Sequence, residues 1–185
     1  MSVVEQHMAV AKQKKDVGDQ AFKAGETVNA LRAYHEAVMY LEGLNKNAAQ
    51  AMPSGPFDQP SDGAKPKTEA DEMLEKIYSN MSACHIKNGN WKRAVETADK
   101  ALKKNEKNGK ALLRKAKGLG EQGYFEKAEK ILNDLLASDP DNKTAIEAEL
   151  TRLRAADKER ERVHNKKFKG FLNRSKEKDG EKTEA

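Results

Sequence analysis

Apolar residues recur at three- and four-residue steps along most of the chain, which is the spacing of a helix that packs on one face. One such stripe consists of Val28, Leu31, Tyr34, Val38 and Leu41. The same pattern, with breaks at glycine and proline, predicts seven helices over residues 2–24, 26–43, 67–87, 90–103, 108–122, 125–137 and 141–172. No stretch shows the strict alternation of a half-buried strand. The chain is therefore predicted to be all-α.

The helices are related by a 34-residue period. Glycine, an aromatic residue and alanine recur at this distance in the pairs Gly89/Gly123, Trp91/Phe125 and Ala94/Ala128. A third copy contains Gly25 and Ala30, and it precedes the others by one period plus an insertion. In a helix–turn–helix unit the glycine ends one helix and the alanine allows a close crossing. Such units stack because none can bury its apolar face alone.

Two segments depart from the helical pattern. Residues 45–66 contain Pro53, Pro56, Pro60 and Pro66 with several glycines and serines, and we predict a long flexible loop within repeat 1. Residues 175–185 are strongly charged and are predicted to be disordered. The expected organisation is a three-repeat domain over 1–140, a capping and extended C-terminal helix over 141–174, and this tail.

Charge and composition restrict the possible functions. The net charge is +5, but Met1–Thr151 is balanced and the basic excess begins at Arg152, which argues against nucleic-acid binding by the body. No apolar run is long enough for a membrane span, so a cytoplasmic protein is expected. Cys84 is the single cysteine, and the four histidines fall on separate helices without a metal or catalytic spacing. We expect no cofactor, no metal and no enzymatic activity.

The best candidates for chemistry are polar residues on the first helix of each predicted pair, since these helices line the concave groove of a superhelix. They are Lys15 and Asp19 in repeat 1, Asn80 in repeat 2, and Lys110 and Arg114 in repeat 3. The two members of repeat 1, like those of repeat 3, stand four residues apart and therefore share a helix face. Residues at these positions would therefore face one ligand surface.

The glycine, aromatic and alanine pattern resembles the tetratricopeptide repeat (TPR). Three repeats with a long seventh helix are similar to the TPR modules of chaperone adaptors, including the large immunophilins. They are similar in particular to the small tetratricopeptide repeat protein nine family, which shares a long first turn and the Tyr-His-Glu-Ala-Val of residues 34–38. The resemblance covers about residues 10–172. It implies three repeats in a right-handed superhelix, followed by a seventh helix.

The resemblance also implies a ligand and a partner. In chaperone adaptors a carboxylate clamp holds the C-terminal Glu-Glu-Val-Asp of the ninety- and seventy-kilodalton heat-shock chaperones. The clamp maps to Lys15, Asn80, Lys110 and Arg114, but Asp19 stands where the family has Asn. Phe22 could add an apolar contact to the peptide. The function expected is thus a co-chaperone-like adaptor with a further, unidentified client. The alternative is a TPR scaffold without a clamp that binds an internal segment of a cytoskeletal or signalling protein.

A second candidate surface lies in the seventh helix. Residues 163–172 are basic and contain apolar side chains on one side, and the possible docking residues are Lys166, Lys167, Phe168, Phe171 and Leu172. This segment resembles the end of the immunophilin helix, which takes part in chaperone binding and looks like a calmodulin target. A docking role, a solubilising helix and calmodulin binding remain the three interpretations, in that order.

Overall fold

Seven helices make up the structure, a computed structural model that describes residues 2–51, 67–139 and 142–180. They are α1 (Val3–Lys23), α2 (Thr27–Ala51), α3 (Glu69–Lys87), α4 (Trp91–Lys104), α5 (Gly109–Glu121), α6 (Phe125–Ser138) and α7 (Lys143–Gly180). Within the described residues no strand is present, so the all-α prediction is confirmed. Consecutive helices pack on each other as antiparallel pairs that stack in chain order.

The helix starts follow from short polar side chains in the sequence. Ser2 caps α1 and Thr68 caps α3, and in each case an acidic residue three positions later returns a bond to the backbone of the cap. Asn90 and Asn108 accept hydrogen bonds from the first turns of α4 and α5. These caps satisfy backbone N–H groups that would otherwise lack a partner. They therefore fix where each helix begins.

The three repeat glycines end the first helix of each pair. Gly25, Gly89 and Gly123 have φ angles of 83°, 68° and 87°. This left-handed conformation is open to glycine because it has no Cβ atom. The chain can therefore reverse within a few residues, and the second helix returns along the first.

The core divides into two clusters along the stack. The first joins α1 to α4 around large side chains such as Tyr34, Leu41, Ile77 and Met81. The second joins α5, α6 and α7, and it is built mainly from leucine with Ile146. Ala30, Ala94 and Ala128, the alanines of the repeat pattern, are fully buried where the two helices of each pair cross. Small side chains here let the paired helices approach closely.

Two glycines inside α5 mark close helix contacts. A Cβ atom on Gly118 would lie 2.7 Å from Val95 of α4, and one on Gly120 would lie 2.5 Å from Leu153 of α7. Both distances are shorter than carbon atoms tolerate. Glycine destabilises a helix by about 1 kcal/mol relative to alanine. At these two positions it permits tight packing on both sides of α5.

Two boundaries differ from the sequence prediction. Helix α2 continues to Ala51, so residues 45–51, predicted as loop, are helical. The alanines at 48, 49 and 51 favour this extension, since alanine has the highest helix propensity. Helix α7 continues to Gly180, so residues 175–180, predicted as disordered, are helical as well. The remainder of the predicted loop, residues 52–66, and the last five residues lie outside the described ranges.

No described helix combines the length and the apolar character that crossing a membrane requires.

Candidate functional site

The first helices of the three repeats are connected side by side through polar side chains. Asn80 of α3 donates from Nδ2 to Oδ1 of Asp19 on α1 over 3.0 Å. Arg114 of α5 donates to the backbone oxygen of Ser79, the neighbour of Asn80, over 2.7 Å. The structure thus brings three of the predicted site helices into one polar row. Asn80 and Arg114 stand 34 residues apart and thus at the same position of successive repeats, whereas Asp19 lies about one helical turn closer to the end of its helix.

Asp19 is the centre of this row. Its Oδ2 accepts a bond from Lys15 Nζ at 2.7 Å, and its Oδ1 accepts bonds from Tyr34 OH at 2.6 Å and from Asn80. Burial by itself would raise the pKa of Asp19, but the bonds from Lys15, Tyr34 and Asn80 together outweigh it and hold the pKa below its ordinary value. Asp19 is therefore ionised at neutral pH and neutralises Lys15.

Arg114 is the most enclosed cation of the group. One nitrogen, NH1, donates both to the Ser79 backbone oxygen and to Ser79 Oγ at 2.5 Å. Burial lowers the pKa of Arg114, while nearby Cys84 and Tyr34 raise it. A guanidinium stays protonated throughout the physiological range. It carries five N–H donors, so a ligand can bind to those that Ser79 does not occupy.

Lys110 lies one helical turn before Arg114 and is exposed. Together with Lys15 and Arg114 it makes three cations against the single anion Asp19. These four side chains therefore carry two net positive charges. The arrangement is suited to a ligand that presents two carboxylates close together.

A family model described as the tetratricopeptide repeat matches residues 85–153. This segment contains the second half of repeat 2, all of repeat 3 and the start of α7. The chain carries a tetratricopeptide repeat domain. The remaining helix pair, α1 and α2, repeats the same architecture. The matched segment is therefore part of a module for protein–protein interaction.

Known proteins and structures give the TPR domain further context. The mouse FK506-binding protein-like protein is 28% identical over 139 residues, which is 75% of this chain and 34% of that protein. The Hsp90 co-chaperone Cns1 from Saccharomyces cerevisiae superposes with a TM-score of 0.69 at 20% identity, over 95% of this chain and 47% of that structure.

A third match is the first TPR of Spaghetti (RPAP3), solved with the HSP90 peptide SRMEEVD. Its TM-score is 0.58 at 17% identity, with 80% of this chain and 98% of that chain covered. These structural likenesses establish the helical-repeat fold. The chain spans about a third of the length of the curated relative.

Two residues of the TPR groove were not among the sequence candidates. Tyr34 was assigned to the core, where its ring is indeed fully buried, but its hydroxyl also binds Asp19. Ser79 holds Arg114. The signal for Tyr34 was available in principle, since a buried tyrosine hydroxyl usually has a hydrogen-bond partner. Ser79 carries no comparable signal in the sequence.

Phe22 lies on α1, half-buried against the first core cluster. The ammonium of Lys87 on α3 sits 4.0 Å from the centre of its ring. The ring therefore makes a cation–π contact with the neighbouring repeat. Its proposed contact with a peptide remains a prediction.

Cys84 and His85, which have side chains capable of catalysis, are enclosed by the packing of the helices. Cys84 is fully buried, and burial raises its pKa to about 11, so it is a poor nucleophile at neutral pH. Burial, followed by the charges of Arg93 and His35, lowers the pKa of His85. In the described ranges no group of three His, Cys, Asp or Glu residues is placed to hold a metal ion.

The second candidate surface lies on the far half of α7. Lys166, Lys167 and Phe168 are all exposed there, with 55% of Phe168 accessible. The side chains of Phe171 and Leu172 fall outside the described part of the chain. The docking role of this segment stays a prediction.

Proposed function

We propose that this TPR domain is a co-chaperone-like adaptor of the cytoplasm. Its groove would bind the acidic C-terminal peptide of a ninety- or seventy-kilodalton heat-shock chaperone, which ends in Glu-Glu-Val-Asp. Lys15, Asn80, Lys110 and Arg114 would form the carboxylate clamp. The observation that carries the proposal is the row of polar side chains across α1, α3 and α5, with two net positive charges.

The chemistry of a terminal aspartate matches this row. Its α-carboxylate and side-chain carboxylate supply two negative charges within one residue, which balance the two net positive charges of Lys15, Asp19, Lys110 and Arg114. Arg114 and Lys110 can donate charge-assisted bonds to them, which are roughly twice as strong as bonds between neutral groups. Arg114 is already held by Ser79, so little side-chain freedom remains to be lost on binding.

Asn80 would set the direction of the peptide. Its Nδ2 is oriented by the bond to Asp19, which leaves the amide oxygen to accept from a peptide N–H. A neutral amide can fix the position of a backbone without adding charge. The Spaghetti structure, whose ligand is an HSP90 peptide, supports this use of the fold.

Asp19 is the observation that favours a second candidate. It already engages Lys15, so one of the clamp cations has an internal partner in the free protein. A peptide carboxylate would have to share Lys15 with Asp19 and would meet its negative charge. If this competition is strong, the groove binds an internal segment of a cytoskeletal or signalling protein, without reading a free C-terminus.

The two candidates are distinguished by calorimetric titration with the peptide Met-Glu-Glu-Val-Asp, once as the free acid and once amidated. The clamp requires micromolar binding of the free acid, near −8 kcal/mol, and a loss of binding on amidation. Amidation removes the charge of one of the two carboxylates that the groove recognises. Equal binding of both forms, or of neither, would exclude the clamp.

Asp19→Asn is expected to tighten binding of the free-acid peptide by about tenfold, or roughly 1.4 kcal/mol. The substitution releases Lys15 and removes a negative charge, while the asparagine oxygen can still accept from Tyr34 and Asn80. Calorimetry measures the change. The matched control is Asp16→Asn, because the Asp16 carboxylate lies 3.8 Å from Lys15 Nζ but is more exposed. Equal affinity in Asp19→Asn and the parent would show that Asp19 does not oppose the peptide.

A further inference from the structure

The two ends of the repeat stack differ in whether a further described helix covers them. At the C-terminal end, α7 covers the last repeat with the buried side chains of Ile146, Leu150 and Leu153. At the N-terminal end, α1 and α2 have an outer face that no other described helix covers. Six of the nine large apolar residues that are exposed in the described ranges belong to these two helices, namely Val3, Val4, Val17, Val28, Met39 and Tyr40. A repeat at the end of a stack normally carries a polar outer face for solubility.

The outer face of α1 has a regular pattern. Val3, Val10 and Val17 follow each other at intervals of seven residues, and each is followed three residues later, on the same side, by a glutamine: Gln6, Gln13 and Gln20. This is the spacing of a heptad stripe. At about 100° per residue, Asp19 lies on the opposite side of α1 from the three valines. Since Asp19 faces α3 through Asn80, the stripe points away from the rest of the stack.

The stripe of α1 carries no charge along the full helix, which the structure describes from end to end. This is unusual in a chain whose residues are 35% charged. Depletion of charge is the compositional mark of interface centres. Large exposed apolar patches on soluble proteins commonly mark contact sites.

Helix α2 extends the same face. The rings of His7 and Tyr40 meet edge to face at 5.6 Å, and Met39 beside them is 74% exposed. A shallow cleft between the helices is lined by these three residues together with Lys14 and Glu36. The last two form an ion pair at 2.6 Å, so they bring no net charge. The stripe of α1 is therefore neutral, whereas the outer side of α2 also carries the exposed Arg32, seven residues before Met39.

We infer that this face, formed by the outer sides of α1 and α2, pairs with the same face of a second copy of the chain. A stripe with a seven-residue repeat matches itself, as an isologous two-fold contact requires. The basic excess of the chain begins at Arg152, so the net charge of +5 lies mainly away from this face and opposes the pairing only weakly. A strongly charged partner would find no complementary groups along the α1 stripe.

The area of the face determines how strong the pairing of two copies should be. The 21 residues of α1 span about 30 Å, and two adjacent helices are roughly 20 Å wide. Each copy would bury on the order of 600 Å², somewhat less than the roughly 800 Å² per partner of a standard stable interface. The pair should therefore be weak, with a dissociation constant in the micromolar range.

Pairing on this face would leave the candidate groove open. Lys15 and Asp19 lie on the side of α1 that faces α3, away from the valine stripe. A dimer would thus present two grooves at once. A partner carrying two copies of the peptide would then gain avidity without any new contact.

Sedimentation velocity of the full chain over roughly 1–300 μM, a range that brackets micromolar dissociation, tests the pairing. We expect the parent to shift from monomer to dimer across this range. The double variant Val3→Lys/Val17→Lys should stay monomeric throughout, because it places four ammonium groups in the paired face. Both valines are about half exposed or more, so circular dichroism should show an unchanged helix content.

The matched control is Tyr124→Lys/Val163→Lys, which adds the same charge at two exposed apolar positions, one just before α6 and one on α7. It should dimerise like the parent. A parent that is monomeric over the whole range would overturn the inference. Equal dimerisation of the two double variants would also overturn it, since the contact would then lie elsewhere.

Discussion

Lys110→Ala and Arg114→Ala should each abolish micromolar binding of the free-acid Met-Glu-Glu-Val-Asp peptide. Removing one partner of a desolvated charge pair costs roughly 2–5 kcal/mol, because the other partner is left without its counter-charge. Lys110, which is exposed in the free protein, should fall at the lower end of this range. Arg114, which is enclosed and held by Ser79, should fall at the upper end. Calorimetric titration at fixed ionic strength measures both.

A loss of binding assigns a residue to the clamp only if the variant still folds. Lys92→Ala removes the same charge from the exposed side of α4 and should bind the peptide like the parent. Thermal unfolding of Arg114→Ala should be followed as well, since this variant also loses the bonds to Ser79. Lys110→Ala has no such complication. Unchanged affinity in Lys110→Ala would remove Lys110 from the clamp.

Ile146→Ala should produce the largest loss of stability among the substitutions considered. Ile146 is fully buried between α7 and the last repeat, within the second core cluster. Truncation of such a residue costs about 2–5 kcal/mol through lost transfer energy and the cavity left behind. Urea unfolding, followed by circular dichroism, should show a lower midpoint. This loss would establish that the first turns of α7 are part of the folded domain.

Val163→Ala serves as the comparison on the same helix. Val163 is 39% exposed and lies beyond the part of α7 that covers the last repeat. Its truncation should change the free energy of unfolding by less than about 0.5 kcal/mol. If both variants unfold at the midpoint of the parent, α7 does not stabilise the repeats.

We expect Asp19 to limit how tightly the proposed clamp can hold a carboxylate. Its charge is stabilised by Lys15, Tyr34 and Asn80, so it remains ionised while a peptide approaches. The free groove is thereby well ordered and lacks an unpaired buried cation at Lys15. The same contacts reduce its attraction for a carboxylate. Specificity can arise from such a repulsive element as readily as from an attractive one.

Much of the fold was contained in local sequence. The three glycines at the turns, the alanines at the crossings and the Ser, Thr and Asn caps each act within a few residues of their own position. Their effects are steric or involve a single hydrogen bond, so the order and approximate bounds of the helices could be predicted. The resemblance carried by these residues also selected Lys15, Asp19, Asn80, Lys110 and Arg114. The structure shows that α1, α3 and α5 lie together as the repeat requires.

The ends of α2 and α7 were less predictable. Proline and glycine in residues 52–66 led the whole of 45–66 to be assigned as loop, although the helix persists to Ala51. Charge in the tail suggested disorder, although its lysine and glutamate residues are also good helix formers. The composition of a whole segment averages residues that favour a helix with neighbouring residues that favour a loop. It therefore placed each boundary several residues from where the structure has it.

The sequence by itself determined the repeat, the helices and the residue types available in the groove, because these depend on spacing along the chain. Only the tertiary structure decided how the groove residues are paired. The Asn80–Asp19 bond joins residues 61 apart, and the Arg114–Ser79 bond joins residues 35 apart. The packing of one repeat on the next sets such distances. For the same reason, the capped C-terminal end and the uncovered valine face became visible only after the helices were placed.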